Sequence, residues 1–417
     1  MTRTDTTAGE APRYEVADLL VSRTDKNGTI LSVNEAFERI SGHHWEDLQK
    51  LPHNLIRHPD MPKGVFWMIW DTLQHKKPLG VFLKNRAKSG SFYWVFAFIA
   101  PQGDGYVSIS MKPTRHAVET ISNEYAALLK FETETGSSAA QSAVHLLKGI
   151  NDLGFSTYDH FVAFLALEQI RARDKDLRRS SPDRFDKLAE ITSDWGKVRA
   201  QCDRIKEAHN QISNTPTNLR VQAAHLNDKG IPLSVIASNF TTLAREIEDI
   251  MTGFLNQASG VEAQLNKSAF GVCLEALMQD VVKMFHSGPT ERAGIDWRTE
   301  SSLVDVERHA ANDATYHALT AARHEIDAFS NLLDETARIM SGLSVAKVMC
   351  EIENAYVGAD SSAGVTGIIG ELDQFQSVAR DCLFDVRLNL TQISQSIKTV
   401  QSNFGTVSKG VVAGRHL

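Results

Sequence analysis

Arg57, His58 and Asp60 lie between Pro52 and Pro62, and Phe66, Trp67 and Trp70 follow directly. The types point two ways. A guanidinium can hold an anionic group through two parallel hydrogen bonds, His58 and Asp60 can orient one another, and aromatic rings can wall an apolar pocket around a few placed polar groups. The same residues can also make an Arg–Asp salt bridge that closes a loop, with the tryptophans as core. Which applies depends on the elements that carry them.

From about Asp18 to Lys112 the pattern is short and mixed. Leu19–Thr24 and Ile30–Val33 read as strands joined by a hairpin turn at Asp25-Lys26-Asn27-Gly28. The stretch "EAFERISG" reads as a short helix closed by Gly42, which can take the left-handed cap conformation. Three more β-rich runs follow, broken at Ala87–Gly90 and at Gln102–Gly105. The order strand, strand, short helices, then three strands suits a five-stranded antiparallel sheet with helices on one face.

After Pro113 no convincing strand is visible and apolar residues recur at coiled-coil spacing. Leu188, Ile191, Trp195, Val198, Cys202, Ile205, His209 and Ile212 form one seam, and Ala379, Leu383, Val386, Leu390, Ile393, Ile397, Val400 and Phe404 form the cleanest. Breaks near Lys229–Pro232 and Gly358–Gly364 favour antiparallel hairpins. Pro216 cannot donate a helical hydrogen bond and should break or kink its arm.

The formal charge of −7 is uneven: residues 1–115 carry 15 Lys+Arg against 12 Asp+Glu, and residues 116–417 carry 29 against 39. Such an acidic rear is a poor partner for nucleic acid, whose binding depends on neutralising phosphates. No apolar run of eighteen residues indicates a membrane-spanning helix, and the N-terminus lacks the apolar core of a secretory signal. The four cysteines lie far apart without metal-ligand spacing, which suits a reducing cytoplasm. No P-loop, zincin helix or nucleophile elbow appears, so an enzyme is not expected.

The segments "VNEAFERISG", "PHNLIRHPDMPKGVFWMIW" and "LKNRAKSGSFYWVFA" together resemble the PAS domain of bacterial aerotaxis receptors, over roughly residues 19–112. The resemblance implies an α+β PAS domain that holds non-covalent FAD and reports redox or respiratory state to the chemotaxis machinery. It places Asn34, Arg57, His58, Asp60 and Trp70 on motif positions tied to the flavin or its pocket. In that frame Arg57 could meet the phosphates, His58 and Asp60 could orient one another or bond the cofactor, and Trp67 and Trp70 could line the ring pocket. The sequence does not fix FAD over FMN. A blue-light adduct is disfavoured, because residues 1–201 contain no cysteine. Haem is an alternative cofactor, with His43, His44, His53, His58 and His75 as available axial ligands.

Residues 218–247, "NLRVQAAHLNDKGIPLSVIASNFTTLAREI", are similar to the signalling hairpin tip of methyl-accepting chemotaxis proteins, with Asn218, Ala223, Ala224, Gly230, Val235 and Ala237 on the pattern. Gln222, His225 and Ile231-Pro232-Leu233 depart from it where that family faces its histidine kinase and coupling protein. Residues 348–372 echo the same tip. The reading is therefore a flexible N-terminus (1–17), a PAS sensor domain (18–115), a helical connector (116–180), an all-α antiparallel hairpin (181–290), a second hairpin (305–405) and a tail (406–417). It implies a cytoplasmic redox or oxygen transducer, a homodimer, with a chemoreceptor, histidine kinase or coupling protein as partner. The alternative is a cofactor-free scaffold of chemoreceptor arrays.

Overall fold

The structure, a computed structural model, describes residues 13–180, 182–226, 230–288, 291–292, 294–357 and 363–404. In chain order the elements are β1 (Leu19–Asp25), β2 (Ile30–Val33), α1 (Glu35–Ser41), α2 (Trp45–Leu48), α3 (Lys63–Gln74), β3 (Leu79–Arg86), β4 (Phe92–Gln102), β5 (Gly105–Met111), α4 (Arg115–Thr135), α5 (Ala139–Asp152) and α6 (Tyr158–Asp176). Then come α7 (Asp183–Ile212), α8 (Thr215–His225), α9 (Ile231–Ser287), β6 (Glu291–Arg292), β7 (Ile295–Asp296), α10 (Trp297–Val357) and α11 (Ala363–Phe404). Two compact units result, one drawn from Met1–Asp186 with Asn266–His317 and the other from Lys187–Leu265 with Ala318–Leu417. The expected boundary near residue 290 runs through the first unit. The terminal segments 1–12 and 405–417 and residues 227–229 and 358–362, where the sequence reading expects breaks, lie outside the described residues.

The first unit holds the expected five-stranded sheet, in the order β2-β1-β5-β4-β3 with every pair antiparallel. Its local chemistry is legible. Gly28 closes the first hairpin at φ +81, and Gly42 caps α1 at φ +70. Helix α3 begins after Pro62 with no side-chain cap of its own, and Glu132 of α4 substitutes. Its carboxylate accepts from the backbone N–H of Lys63 (3.3 Å) and Gly64 (3.1 Å) and from the Ser142 hydroxyl of α5 (2.5 Å). This places a negative charge at the positive end of the helix dipole.

The α3–α5 contact is close enough to reverse a usual rule. A Cβ at Gly64 would lie 2.3 Å from Ser142 Oγ and 2.6 Å from the Ala143 nitrogen. Gly→Ala in an open helix stabilises by about 1 kcal/mol. Gly64→Ala is expected to destabilise by about 2 kcal/mol through overpacking against backbone, read as a lowered midpoint in thermal unfolding; a raised midpoint would contradict the contact.

The sheet's other face is covered by residues distant in sequence. Tyr158 of α6 donates to the Gly80 carbonyl (2.8 Å), and Phe270 of α9 stacks on Phe98 at 5.2 Å. Glu300, in the first turn of α10, accepts from Arg23 Nε (2.9 Å) and Nη2 (2.6 Å) and from the Ser32 hydroxyl (2.9 Å). Gln169 of α6 holds the exit from β5, accepting from the Thr114 N–H at 2.6 Å. Buried Arg173 ties the carbonyl of Val16 (3.3 Å) to Asp280 (2.7 Å).

The second unit is a helical bundle. Its α7 seam from Leu188 to Ile212 is buried as expected, and Trp195, Phe254 and Phe329 meet at its centre, with centroids 5.0 and 6.0 Å from Phe329. Helix α7 ends at Ile212, and α8 restarts with Pro216 in its first turn, where a missing N–H costs nothing. Two corrections follow. The α11 seam passes through Cys382, fully buried, in place of Leu383, which turns partly outward. The sequence shows no strand after Pro113, yet β6 and β7 pair across a turn at Gly294 (φ +78). Two residues per strand are too few to leave a periodic signal.

Candidate functional site

Between the sheet and α3 lies a cavity of about 130 Å³. Helix α3 contributes Phe66, Ile69, Trp70 and Leu73, spaced so that one helical face looks at the sheet. The strands answer with alternate residues, as the pleat requires: Ser22 and Thr24 from β1, Leu83 and Asn85 from β3, Ile99 from β4, and Tyr106 and Ser108 from β5. The loop between α2 and α3 closes the side with His53, Asn54, Ile56 and Arg57. Backbone bonds fix this loop: the His53 N–H donates to Gly28 (2.9 Å) and the His58 N–H to Lys84 (3.2 Å).

The six expected site residues do not stay together. Arg57 and Trp70 line the cavity. Arg57 places its guanidinium carbon 3.7 Å from the centroid of Phe66 and donates from Nη2 to the Met61 carbonyl at 2.9 Å. Its other N–H groups have no protein acceptor among the described residues, and burial lowers its pKa from the ordinary guanidinium value. Trp70 meets Tyr106 edge-on at 5.9 Å and stands over the hairpin turn, where a Cβ on Gly28 would come within 3.1 Å of its ring. At 37% exposure it forms the outer wall.

His58 and Asp60 do orient one another, outside the cavity. His58 Nδ1 accepts from the Asp60 N–H at 3.1 Å, and the His58 ring meets Phe92 edge-on at 5.7 Å. The Lys84 ammonium, 2.7 Å from Asp60, holds that carboxyl below the usual range through their hydrogen bond. Together they clamp the loop that carries Arg57 to the end of β3. Trp67 points to solvent at 43% exposure and lines no part of the cavity. Asn34 is buried elsewhere: its Oδ1 accepts from Val21 (2.9 Å) and Phe37 (3.1 Å), and its Nδ2 donates to Leu19 (2.7 Å). Its carboxamide caps α1 and pins β1, which leaves it no reach to the cavity.

The sequence reading missed Ser22, Thr24, Asn85, Tyr106 and Ser108 as cavity residues. The signal was there: polar groups at alternate positions within apolar strands mark an inner face that is not simple core. Of the five candidate axial histidines, His53 alone lines the cavity. It lies 3.2 Å from Ser22 Oγ and edge-on to Phe37, and burial pushes its imidazole down to about 4.

That shift predicts a pH effect. The unfolded imidazole takes up a proton near pH 6.5, the folded one only near 4. Stability is therefore lost as pH falls from about 6.5 towards 4, by at most about 3 kcal/mol, less to the extent that water reaches the ring. His53→Gln should flatten this part of the unfolding-versus-pH curve. Identical acid slopes in both proteins would contradict a neutral, half-buried imidazole in the folded protein.

Residues 30–107 match the family model for the PAS fold. The front of this chain is a PAS domain. It is 40% identical over 114 residues to the aerotaxis receptor of Escherichia coli K12, an alignment that covers 26% of this chain and 22% of the receptor. The chain thus matches about a fifth of that relative's length. Solved structures to which the chain is similar include the light-state LOV domain of the blue-light photoreceptor Aureochrome1 (16% identity, 26% of this chain and 90% of that one, TM-score 0.23) and a LOV protein of Rhodobacter sphaeroides (17% identity, 33% and 85%, TM-score 0.22). Among the described residues no group of three or more His, Cys, Asp or Glu could hold a metal ion, and no helix is long and apolar enough to cross a membrane.

Proposed function

We propose that the PAS domain, residues 18–115, binds a flavin, with FAD the favoured form, and that the chain is a sensor that relays the state of this cofactor to its helical region. The observation that carries the reading is Arg57: a cavity-lining arginine whose guanidinium keeps unused donors, beside aromatic and aliphatic walls, suits a planar apolar ring bearing an anionic tail. The 40% identity to an aerotaxis receptor over this segment supports it. Arg57 would hold the phosphates, and Asn85, Ser22 and Ser108 would offer hydrogen bonds to the ring edge. His58, Asp60 and Lys84 would position Arg57 without touching the ligand. Ligand pockets typically measure about 300–1,000 Å³, so entry requires Trp70, the exposed wall, to swing outward. A bound flavin supplies a reversible change of charge and hydrogen bonding at one place in the cavity.

The relay runs through β1. Ser22 and Thr24 face the cavity, and Arg23 between them faces the other way and grips Glu300. A shift of β1 at the cavity is therefore felt at the first turn of α10, a helix of 61 residues. Hydrogen exchange in the oxidised and dithionite-reduced protein tests this: protection should change at β1 and in the first turns of α10. Equal exchange in both states would remove the sensing reading. The output partner, a chemoreceptor, histidine kinase or coupling protein, and the hairpin likeness of residues 218–247 belong to this proposal.

A further inference from the structure

We propose that the outward face of α11 is an antiparallel dimerisation seam for a second copy of this chain, with its two-fold axis at Phe384. The inference is independent of what fills the PAS cavity.

The seam was not part of the buried heptad pattern. Phe384 and Leu388, one turn apart, are 70% and 51% exposed, although large apolar side chains at such spacing on a bundle helix normally face a partner. Beside them a groove of about 400 Å³ opens between α10 and α11, floored by Met340 and Leu383. Gln376 lines it while only 8% exposed, and its Nε2 is buried without a hydrogen-bond partner.

The helix itself supplies the complementary set. In an antiparallel pair centred on Phe384, each residue faces the one equally far on the other side. Arg387 then meets Asp381 of the second copy, and the symmetry repeats the pair. Ser377 meets Thr391, two small residues that let the helices approach, and the Arg380 stem lies over Leu388. Arg380 and Asp381 have no ion-pair partner among the described residues, and Arg387 reaches only the exposed Asp334. A parallel pair would instead set Arg387 against Arg387 and Asp381 against Asp381, a like-charge arrangement that is unfavourable.

Light scattering on the full chain tests this directly. The wild type should be a dimer, and Phe384→Glu, at a position too exposed to threaten folding, should be a monomer with an unchanged far-ultraviolet circular dichroism spectrum. Arg387→Asp should weaken the dimer by about tenfold, roughly 1.4 kcal/mol, and adding Asp381→Arg to the same chain should restore it. Oxidising a mixture of Ser377→Cys and Thr391→Cys chains should give the mixed disulfide, since the four native cysteines are buried. A wild type that stays monomeric, a dimer that survives Phe384→Glu, or Ser377→Cys chains that link to themselves would each overturn the proposal.

Discussion

Glu300→Ala is expected to lower the stability of the PAS-containing unit by about 2–4 kcal/mol. The carboxylate receives both arms of Arg23 and the hydroxyl of Ser32, and the side chains are 10% and 26% exposed for Glu300 and Arg23. Removing one partner of such a pair leaves a largely desolvated guanidinium uncompensated, which costs about 3–5 kcal/mol when burial is complete. The partial exposure of Arg23 sets the lower figure. The double variant Arg23→Met/Glu300→Leu, which removes both charges, should recover most of the loss, because the penalty lies in the orphaned charge. Chemical denaturation followed by the near-ultraviolet signal of the PAS aromatics reads the effect. A loss below about 0.5 kcal/mol would place this contact with ordinary surface ion pairs and would remove the link from β1 to α10.

Arg57→Ala is expected to weaken FAD binding by about ten- to a hundredfold, the span that corresponds to the 1.5–3 kcal/mol of a hydrogen bond to a charged group. Arg57→Lys should recover only part of this, because an ammonium keeps the charge and loses the fork. The fold should persist in both, since the Arg57 side chain makes a single hydrogen bond to protein, at Met61, and its backbone bond to Asn54 is untouched by the substitution. Asp60→Asn should give a smaller loss, about threefold, as it loosens the Lys84 clamp without changing the cavity wall. Equal affinities in Arg57→Ala and wild type, measured by equilibrium titration with FAD, would take the guanidinium out of the site.

These two residues show what the sequence could and could not disclose. Arg57 stood out through the family resemblance, because an arginine, a histidine and an aspartate between two prolines serve equally as a loop-closing salt bridge and as a ligand site. The hairpin at Asp25–Gly28 and the cap at Gly42 were legible because only a left-handed turn requires glycine there. The heptads were legible because their period is set by the helix itself. Glu300 was invisible: it resembles any acidic residue in the first turn of a helix, and its partner lies 277 positions away. The covering of the sheet by α6, α9 and α10 was hidden for the same reason, since periodicity reports that a face is buried and not against what. Asn34 misled because an asparagine before a short helix serves equally as a cap and as a ligand, and here the cap takes its side chain. Trp67 and Trp70, three apart on α3, diverge because only one side of that helix faces the sheet.

The central claim is that the cavity between β1, β3, β5 and α3 is a flavin site. The most direct measurement is the visible absorption spectrum of the full chain after incubation with FAD and removal of free ligand. The account predicts a protein-bound flavin spectrum at one equivalent per chain that bleaches with dithionite. A colourless protein that takes up neither FAD nor FMN would contradict it.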